Sequence, residues 1–395
     1  MWSNNIILLF QGQAVSCFGS SLYSVVASLW AYEMTGSALI MGTIYSIGHI
    51  ARLIVFPFSG ILVDRFSRRD LIILCDILCG VSMLSVAISA ATGSHFALTT
   101  LVIHSAVSGA VSSIFHPAVH TLTISLVGKD HFVKANSTYN AIEYGVDIIG
   151  QSISGLLYSC IGAPVLFFFD GITFLFSAVS ELFIARDTPP VQPQQDNILT
   201  DATEGIRYIL RNRGICYNLS AAFLINLAFG CLRVLLVPWM LEFGPACYGL
   251  LGTFRSIGTI LGSLFLSAIT VPKGKQYTYY FRCQFFYLSF VALAALIPHF
   301  PSIAALFCVA QFHQYIFNTL QSGAVFLTVP DQTRGKVICA VQALAMGFSA
   351  LGNLAGGFFS EHAAPQYIIF LLMLLTLICI LPLTKHHCVK ALFSV

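Results

Sequence analysis

The sequence predicts an all-α membrane protein with twelve transmembrane helices, arranged as two pseudo-symmetric six-helix bundles. Composition is the first observation: 57% of the 395 residues are hydrophobic, only 9% are charged, and the mean hydropathy is +0.84. A soluble domain has about 25% charged residues, so that class is excluded. The apolar runs are also longer than the roughly ten residues of a transmembrane β-strand, which favours helices.

The second observation is the number of apolar runs, at about twenty residues per crossing. They lie at residues 6–31, 37–62, 71–92, 96–127, 135–160, 164–185, 215–240, 246–271, 279–298, 302–328, 336–360 and 365–384. The first five residues contain neither a basic segment nor a signal-peptide cleavage site, so we expect the first run to be retained as a helix.

Basic residues predict the orientation of these crossings. Alternate connections contain all the clustered Lys and Arg, at Arg65, Arg68, Arg69, Lys129, Lys134, Arg186, Arg207, Arg211, Arg213, Lys273, Lys275, Arg282, Arg334, Lys336, Lys385 and Lys390. The opposite connections contain none. The positive-inside rule then places both termini in the cytoplasm, in a multi-pass protein of a bacterial-type inner membrane.

One long polar connection divides the chain into bundles at 1–185 and 215–395, with a cytoplasmic linker at 186–214. The linker begins with prolines and glutamines, and Asp201 and Glu204 then predict the start of a helix. Ile206, Ile209 and Leu210 give that helix an apolar face, so we expect it to lie on the membrane surface and to end at Gly214.

The third observation is an internal repeat. The segment GTIYSIG at 42–48 returns as GTFRSIG at 252–258, an offset of 210 residues. Lys134, Gly145, Gly150 and Gly155 return at an offset of 202, as Lys336, Gly347, Gly352 and Gly357. Such duplication predicts two bundles around a central site, with access alternating by a rocking motion.

The turn between the second and third runs combines Gly60, Asp64, Arg65, Arg68 and Arg69. This spacing resembles the signature loop of the major facilitator superfamily, which implies a gating role for these five residues. In that family the aspartate pairs with neighbouring helix ends and holds the cytoplasmic gate. Ser67 stands where the family usually has glycine. The alternative is an ordinary basic turn that only sets orientation.

Further motifs extend the resemblance along nearly the whole chain. They are FHPA at 115–118, VKANS at 133–137, FDGITF at 169–174 with Ser177, EGIRY at 204–208 and RGK at 334–336. Together they are similar to the branch that contains the enterobactin exporter and macrolide efflux pumps. The Gly-Pro-x-x-Gly-Gly motif of drug exporters is replaced by residues 150–155, GQSISG.

Charged residues inside apolar runs are costly, at roughly 2.5 to 3.5 kcal/mol each at a helix centre, so they indicate function. In the first half these are Arg52, Glu143, Asp147 and Asp170. Glu143 and Asp147 are four residues apart on one helix face, where two carboxylates favour a proton-coupling site. We therefore predict proton coupling at Asp147, Glu143 and Asp170. The alternative is that they pair with Arg52 or loop charges and lock the bundle.

In the second half the corresponding charges are Arg233 and Arg255. A guanidinium there either pairs with an acid such as Glu242 or presents donors to an anionic substrate. Because Tyr45 occupies the repeat position of Arg255, we favour substrate binding. Tyr23, Asn226 and Tyr315 are the predicted polar residues lining the substrate cavity.

Other site classes have little support. His116 and His120 have metal-ligand spacing, but Pro117 lies between them and no acid is near in sequence, so no metal and no cofactor are predicted. The twelve cysteines are interpreted as buried apolar residues. Enzyme motifs are absent, and a net charge of +3 without a basic patch argues against a nucleic-acid partner.

The sequence therefore predicts a secondary active transporter that acts as a monomer in the lipid bilayer. We expect a proton-coupled exporter of a small organic solute, such as a siderophore or drug-like compound, and favour an anionic one. The alternatives are an importer of a metal-siderophore complex, a multidrug efflux pump, and a non-transporting receptor or intramembrane enzyme.

Overall fold

The structure, a computed structural model, describes residues 3–185, 198–269 and 271–393, which contain fourteen helices and no strand. The helices are Asn4–Thr35 (α1), Ala38–Arg65 (α2), Arg68–Ala91 (α3), Ala97–Val127 (α4), Lys129–Ile161 (α5), Ala163–Glu181 (α6), Ile198–Arg211 (α7), Arg213–Leu241 (α8), Pro245–Ala268 (α9), Lys273–Ala294 (α10), Phe300–Thr328 (α11), Asp331–Ser360 (α12), Pro365–Thr384 (α13) and His387–Leu392 (α14).

Each predicted apolar run overlaps one of the twelve long helices, α1 to α6 and α8 to α13. Ten of them are long and apolar enough to cross a membrane, which confirms a helical multi-pass membrane protein. The other two, α5 and α10, begin with several polar residues that lower their apolar content. Twelve crossings therefore stay a prediction.

The charged turn between α2 and α3 is shorter than the sequence indicates. Only Phe66 and Ser67 separate the two helices, so most of the charged residues lie in the helix ends. Ser67 is the N-cap of α3, and its hydroxyl accepts a hydrogen bond from the Asp70 amide at 3.3 Å. The hydroxyl thus satisfies one of the unpaired amides of the first turn, a role that glycine has no side chain to fill.

The linker helix exists, but its predicted end is wrong. Helix α7 ends at Arg211, and Asn212 caps the next helix by accepting from the Ile215 amide at 3.1 Å. Gly214 therefore lies in the first turn of α8, where a Cβ would come within 2.7 Å of the Cys388 carbonyl oxygen. The proline-rich and glutamine-rich residues 189–195 lie outside the described residues.

Within α7 the predicted apolar face is only partly covered. Ile209 is buried, whereas Ile206 and Leu210 are exposed. Glu204 accepts from the Lys336 ammonium at 2.7 Å, so the helix is also held by an ion pair.

The chain divides into two compact units. The first comprises residues 1–36, 44–195 and 248–250, and the second residues 37–43, 196–247 and 251–395. In the first unit α1 packs on α5 and α6, and α3 packs on α4 and α6. In the second, α8 packs on α12 and α13, and α10 packs on α11 and α13.

The repeated glycines have the same packing role in each unit. A Cβ at Gly48 of α2 would lie 2.9 Å from the Ser105 hydroxyl of α4, and a Cβ at Gly258 of α9 would lie 2.1 Å from the Cys308 carbonyl of α11. Such distances leave no room for a side chain, so each glycine permits a close helix crossing. The sequence repeat thus corresponds to a repeated helix contact.

Candidate functional site

A polar cavity of about 210 Å³ opens inside the first unit. Five helices line it, because α1, α3, α4, α5 and α6 each turn at least one residue toward it. The lining side chains with ionisable or amide groups include Gln13, Asp76, His116, Tyr139 and Glu143. We call this space the polar cavity. Its amide, imidazole and carboxyl groups can bind an ion or its water.

A smaller cavity of about 160 Å³ shares His116, Tyr139 and Glu143 with the polar cavity. Its other polar residues are His120, Asn136, Asn140 and Thr123. Glu143 and His116 therefore border both spaces. The sequence singled out each of these two residues, and the structure brings them to one site.

Asp147 lies one helical turn beyond Glu143 and is already hydrogen-bonded. Its carboxylate accepts from the Ser21 hydroxyl at 2.7 Å and from the Gln151 amide at 2.8 Å. Among the described residues, Asp147 makes no ion pair with Arg52, which was the alternative. Arg52 instead interacts electrostatically with His116.

Two buried acids were missed by the sequence reasoning. Asp76 on α3 and Glu181 at the end of α6 are each 1% exposed. Glu181 accepts a hydrogen bond from the Gln13 amide at 3.0 Å. The signal was available, since Asp76 lies five residues inside the third apolar run and Glu181 lies inside the sixth.

Asp170 on α6 is fully buried. The Thr173 hydroxyl donates to the main-chain carbonyl of Asp170 at 2.7 Å. Neither carboxylate oxygen of Asp170 has a hydrogen-bond partner among the described residues. A Cβ at Gly19 would lie 2.4 Å from Asp170 Oδ1, so α1 and α6 approach closely around this acid.

His104 and Tyr23 form a packed pair rather than a cavity wall. The rings meet edge to face with their centres 5.1 Å apart, and Tyr23 also packs on Phe167. His104 Nδ1 lies 2.9 Å from the Ser82 hydroxyl, which satisfies that nitrogen.

Arg69, in the first turn of α3, contacts the end of α6 through its side chain. Arg69 donates from Nε to the Glu181 carbonyl at 3.1 Å and from a terminal nitrogen to the Leu182 carbonyl. A cation at carbonyls that end a helix is favourable because these carry partial negative charge. Arg68 is buried, Arg65 and Gly60 are exposed, and the Asp64 side chain lies outside the described residues.

The second unit contains a cavity of about 520 Å³ whose lining is neutral. It is lined by Thr259, Gln314, Tyr315, Asn318, Thr319 and Ser322. The Arg255 Nε lies 2.8 Å from the Gln311 amide, which accepts from it when the amide oxygen faces the arginine. In that orientation Gln311 also donates to Gln314, so Arg255 is connected to the cavity wall.

The other predicted residues of the second unit lie elsewhere. Arg233 is exposed on α8. Asn226 donates to the Ala222 carbonyl of its own helix at 2.9 Å, so part of its amide is used locally. Among the predicted residues of this unit, Tyr315 and Arg255 are thus the two associated with the neutral cavity.

A cluster of three residues of metal-binding type lies near the end of the described chain. Donor atoms of His386, His387 and Cys388 lie within 4.8 Å of one another. The three residues are consecutive, so their proximity follows from chain connectivity. His386 also accepts from the Cys388 amide at 3.3 Å as the cap of α14.

Comparison with known sequences identifies the family. The model of the Major Facilitator Superfamily matches residues 9–230. The MFS-type transporter YfiS of Bacillus subtilis is 25% identical over 90% of this chain and 87% of its own length. Macrolide efflux protein A of Streptococcus pyogenes is 24% identical over 54% of this chain and 53% of its own. The multidrug efflux pump Tap of Mycolicibacterium fortuitum is 23% identical over 90% of both chains.

Solved structures agree on the fold. The nucleoside transporter NupG superposes with a TM-score of 0.75 over 97% of this chain and 100% of its own. Its sequence is 12% identical, so the likeness concerns the fold alone.

Proposed function

Because the chain belongs to the major facilitator superfamily, a family of membrane transporters, we propose that it exports a small organic solute in exchange for protons. The bundles at 1–185 and 215–395, joined by the linker at 186–214, alternate access by a rocker-switch motion. The protein acts as a monomer in a bacterial-type inner membrane, with both termini in the cytoplasm. Gly60, Asp64, Arg65, Arg68 and Arg69 form its cytoplasmic gate.

The observation that supports ion coupling most strongly is the position of Glu143 between the two cavities of the first unit. A carboxyl group there has water-sized space on both sides, which a group that takes up and releases a proton requires. Asp147, one helical turn away, is the second acid of the proposed proton site. The buried Asp170 of α6 is the third acid in this proposal.

A drug-like solute is the proposed substrate. Two relatives are named as a macrolide efflux protein and a multidrug efflux pump. The 520 Å³ cavity of the second unit offers amide and hydroxyl groups, with Tyr315 as an aromatic surface. Such a lining suits a compound with several hydrogen-bonding groups and an apolar surface that can pack on Tyr315.

An anionic solute such as a siderophore is the second candidate. Arg255 favours it, because its guanidinium lies beside Gln311 and so next to the cavity wall. Displacement of the amide by a carboxylate would give a stronger, charge-assisted contact. Arg233, Tyr23 and Asn226 do not line this cavity and are not part of this candidate.

Transport in sealed proteoliposomes under an imposed pH gradient tests the proposal. The probes are a macrolide, a lipophilic cationic dye, a metal-free citrate-type siderophore and its iron complex. We expect the macrolide or the dye to move against the proton flux. Movement of the metal-free siderophore alone supports the anionic candidate, and movement of the iron complex with the protons makes the protein an importer. No gradient-driven movement of any probe contradicts the proposal.

Two variants make this test specific to the proposed proton site. Asp147→Asn keeps the shape of the side chain but removes its charge, so we expect gradient-driven accumulation to be abolished while the protein stays folded. Glu242→Gln makes the same kind of change at an exposed position after α8 and should leave accumulation unchanged. Accumulation retained in Asp147→Asn would remove this residue from the mechanism.

A further inference from the structure

The acids Asp76 and Glu181 form a pair that the proton site described above does not use. They lie on α3 and α6, two helices that pack on each other, and both are 1% exposed. Gln13 lines the polar cavity together with Asp76 and donates its amide hydrogen to Glu181, so one side chain connects the surroundings of the two acids. An acidic pair this deeply buried inside a membrane protein needs a compensating positive charge.

The hydrogen bonds around the pair are too few to stabilise two negative charges. Glu181 Oε1 accepts from the Gln13 amide at 3.0 Å and from the Ser177 hydroxyl at 3.5 Å. Ser177 also interacts with Asp76, but its single hydroxyl hydrogen can be donated to only one of the two acids at a time. Asp76 Oδ2 and Glu181 Oε2 are buried without any hydrogen-bond partner among the described residues.

The other ionisable groups near the pair do not supply the missing charge. They come from every helix that packs on α3 or α6, and they are Cys17 of α1, Cys75 and Cys79 of α3, His116 of α4, and Tyr139 and Glu143 of α5. At the start of α3, Arg69 directs its guanidinium to main-chain carbonyls of the α6 end. Asp170 of α6 adds a further acid, and the buried Arg68 lies two helical turns before Asp76 on α3. Because the named groups that line the cavity beside the pair are neutral or acidic, we expect a bound ion to supply the positive charge.

Access to the pair is provided by the polar cavity, which Asp76 and Gln13 both line. The unpartnered oxygen of a 1% exposed acid beside a space of about 210 Å³ is the arrangement expected of an ion site. Oxygen ligands of this kind take a proton or a hard cation.

We propose that Asp76 and Glu181, with Gln13 and Ser177, form a site that binds one monovalent cation, either a proton or Na⁺, inside the first unit. The cation enters from the polar cavity and lies between Asp76 Oδ2 and Glu181 Oε2. Gln13 and Ser177 hold Glu181 Oε1, so Oε2 remains available. The claim that this cation drives transport rests on the proposed function. The existence of the binding site does not.

Thermal unfolding of the purified protein tests the site without any transport. The samples are the wild type, the double variant Asp76→Asn with Glu181→Gln, and Glu242→Gln as the matched control. In one series the Na⁺ concentration is raised while a bulky organic cation is lowered, which keeps the ionic strength constant. In the other series the pH is lowered in the absence of Na⁺. A ligand that binds the native state raises the unfolding temperature as its concentration increases.

We expect the wild type and the control to gain stability along one of the two series, which identifies the ion. The double variant should lose that dependence while it stays monodisperse, because the amides replace the acids at equal size. Full wild-type dependence in the double variant, or none along either series in the wild type, would overturn the proposal. If the double variant does not fold, the single variants Asp76→Asn and Glu181→Gln decide by the same criterion.

A transport measurement separates failure of this site from failure of the proposed function. In proteoliposomes the double variant should exchange solute at equal concentrations of the driving ion but lose accumulation at least tenfold. If no probe is transported at all, the proposed function fails, and the unfolding series still decides whether the cation site exists.

Discussion

The two units bury different kinds of polar side chain. In the first, the buried ionisable residues include Asp76, Asp170, Glu181 and His104. In the second, the buried polar side chains of the described residues are amides and hydroxyls, with no buried acid, imidazole or basic group; the amides are Asn218, Gln284, Gln311, Gln321 and Asn353. The repeat gives both units the same helix contacts, so this chemistry is not a requirement of the fold.

The difference supports the proposed division of tasks between the units. The carboxyl groups to which we assign ion binding lie in the first unit, where Asp76 and Glu143 line the polar cavity. Neutral donors and acceptors lie in the second, where the larger cavity is lined by amides and hydroxyls. Because each buried charge costs roughly 2.5 to 3.5 kcal/mol, the concentration of acids in one unit indicates a functional role there.

The largest expected effect comes from placing a charge in the second unit. Asn353 on α12 is fully buried, and neither polar atom of its side-chain amide has a hydrogen-bond partner among the described residues. Asn353→Asp should therefore cost roughly 2.5 to 3.5 kcal/mol of stability, as for an acid at a helix centre. Asn353→Leu is the matched control of similar size and should be neutral or stabilising, because it removes an unpaired amide. Thermal unfolding of both variants checks the prediction, and equal stability of the two would contradict it.

An intermediate effect is expected within the amide network of the second unit. The Gln321 amide donates to Asn218 Oδ1 at 3.0 Å, and Asn218 lies 3.5 Å from the Tyr280 hydroxyl. Gln321→Leu leaves a buried acceptor unpaired and should destabilise by about 1 to 3 kcal/mol.

A double-mutant cycle with Asn218→Leu measures the coupling directly. The double variant should be less destabilised than the sum of the two single variants, because both partners of the bond are then removed. Strict additivity would show that the contact contributes nothing.

The smallest expected effect concerns the first residues of α3 and α10, which are equivalent helices of the two units. Ser67 caps α3 with its hydroxyl, whereas Pro272, before α10, makes no side-chain cap. Ser67→Ala should cost about 1 kcal/mol, and Ser67→Gly, which restores the residue usual in the family, only a few tenths. Pro272→Ala removes no capping bond. Unfolding midpoints of the three variants test the order, and a Ser67→Ala protein as stable as Ser67→Gly would rule out the cap.

Much of the fold follows from the sequence because membrane helices are specified by composition. Apolar runs of about twenty residues locate all the long helices, and the repeat locates the close contacts at Gly48 and Gly258. Helix ends are less predictable, since they depend on single capping side chains. Asn212 is such a cap, and it ends the linker helix before Gly214.

The site was predicted less completely, for a physical reason. Spacing along one helix relates Glu143 to Asp147, but it cannot show that Asp76 of α3 and Glu181 of α6 are neighbours. The sequence likewise does not show that Gln311 and Gln314 lie near Arg255, since they belong to another helix. Contacts between residues of different helices can be identified only once the packing of the helices is known.

The division of tasks is tested most directly by two transport measurements on two variants in the same proteoliposomes. Solute exchange is measured at equal pH on both sides, and accumulation is measured under a pH gradient. Glu143→Gln should keep exchange and lose accumulation, because only the ion step is removed. Tyr315→Ala, which removes the aromatic surface of the second unit's cavity, should raise the half-saturating solute concentration about tenfold in both measurements, equivalent to about 1.4 kcal/mol of binding. The same defect in both variants would contradict the assignment of ion chemistry to the first unit and solute recognition to the second.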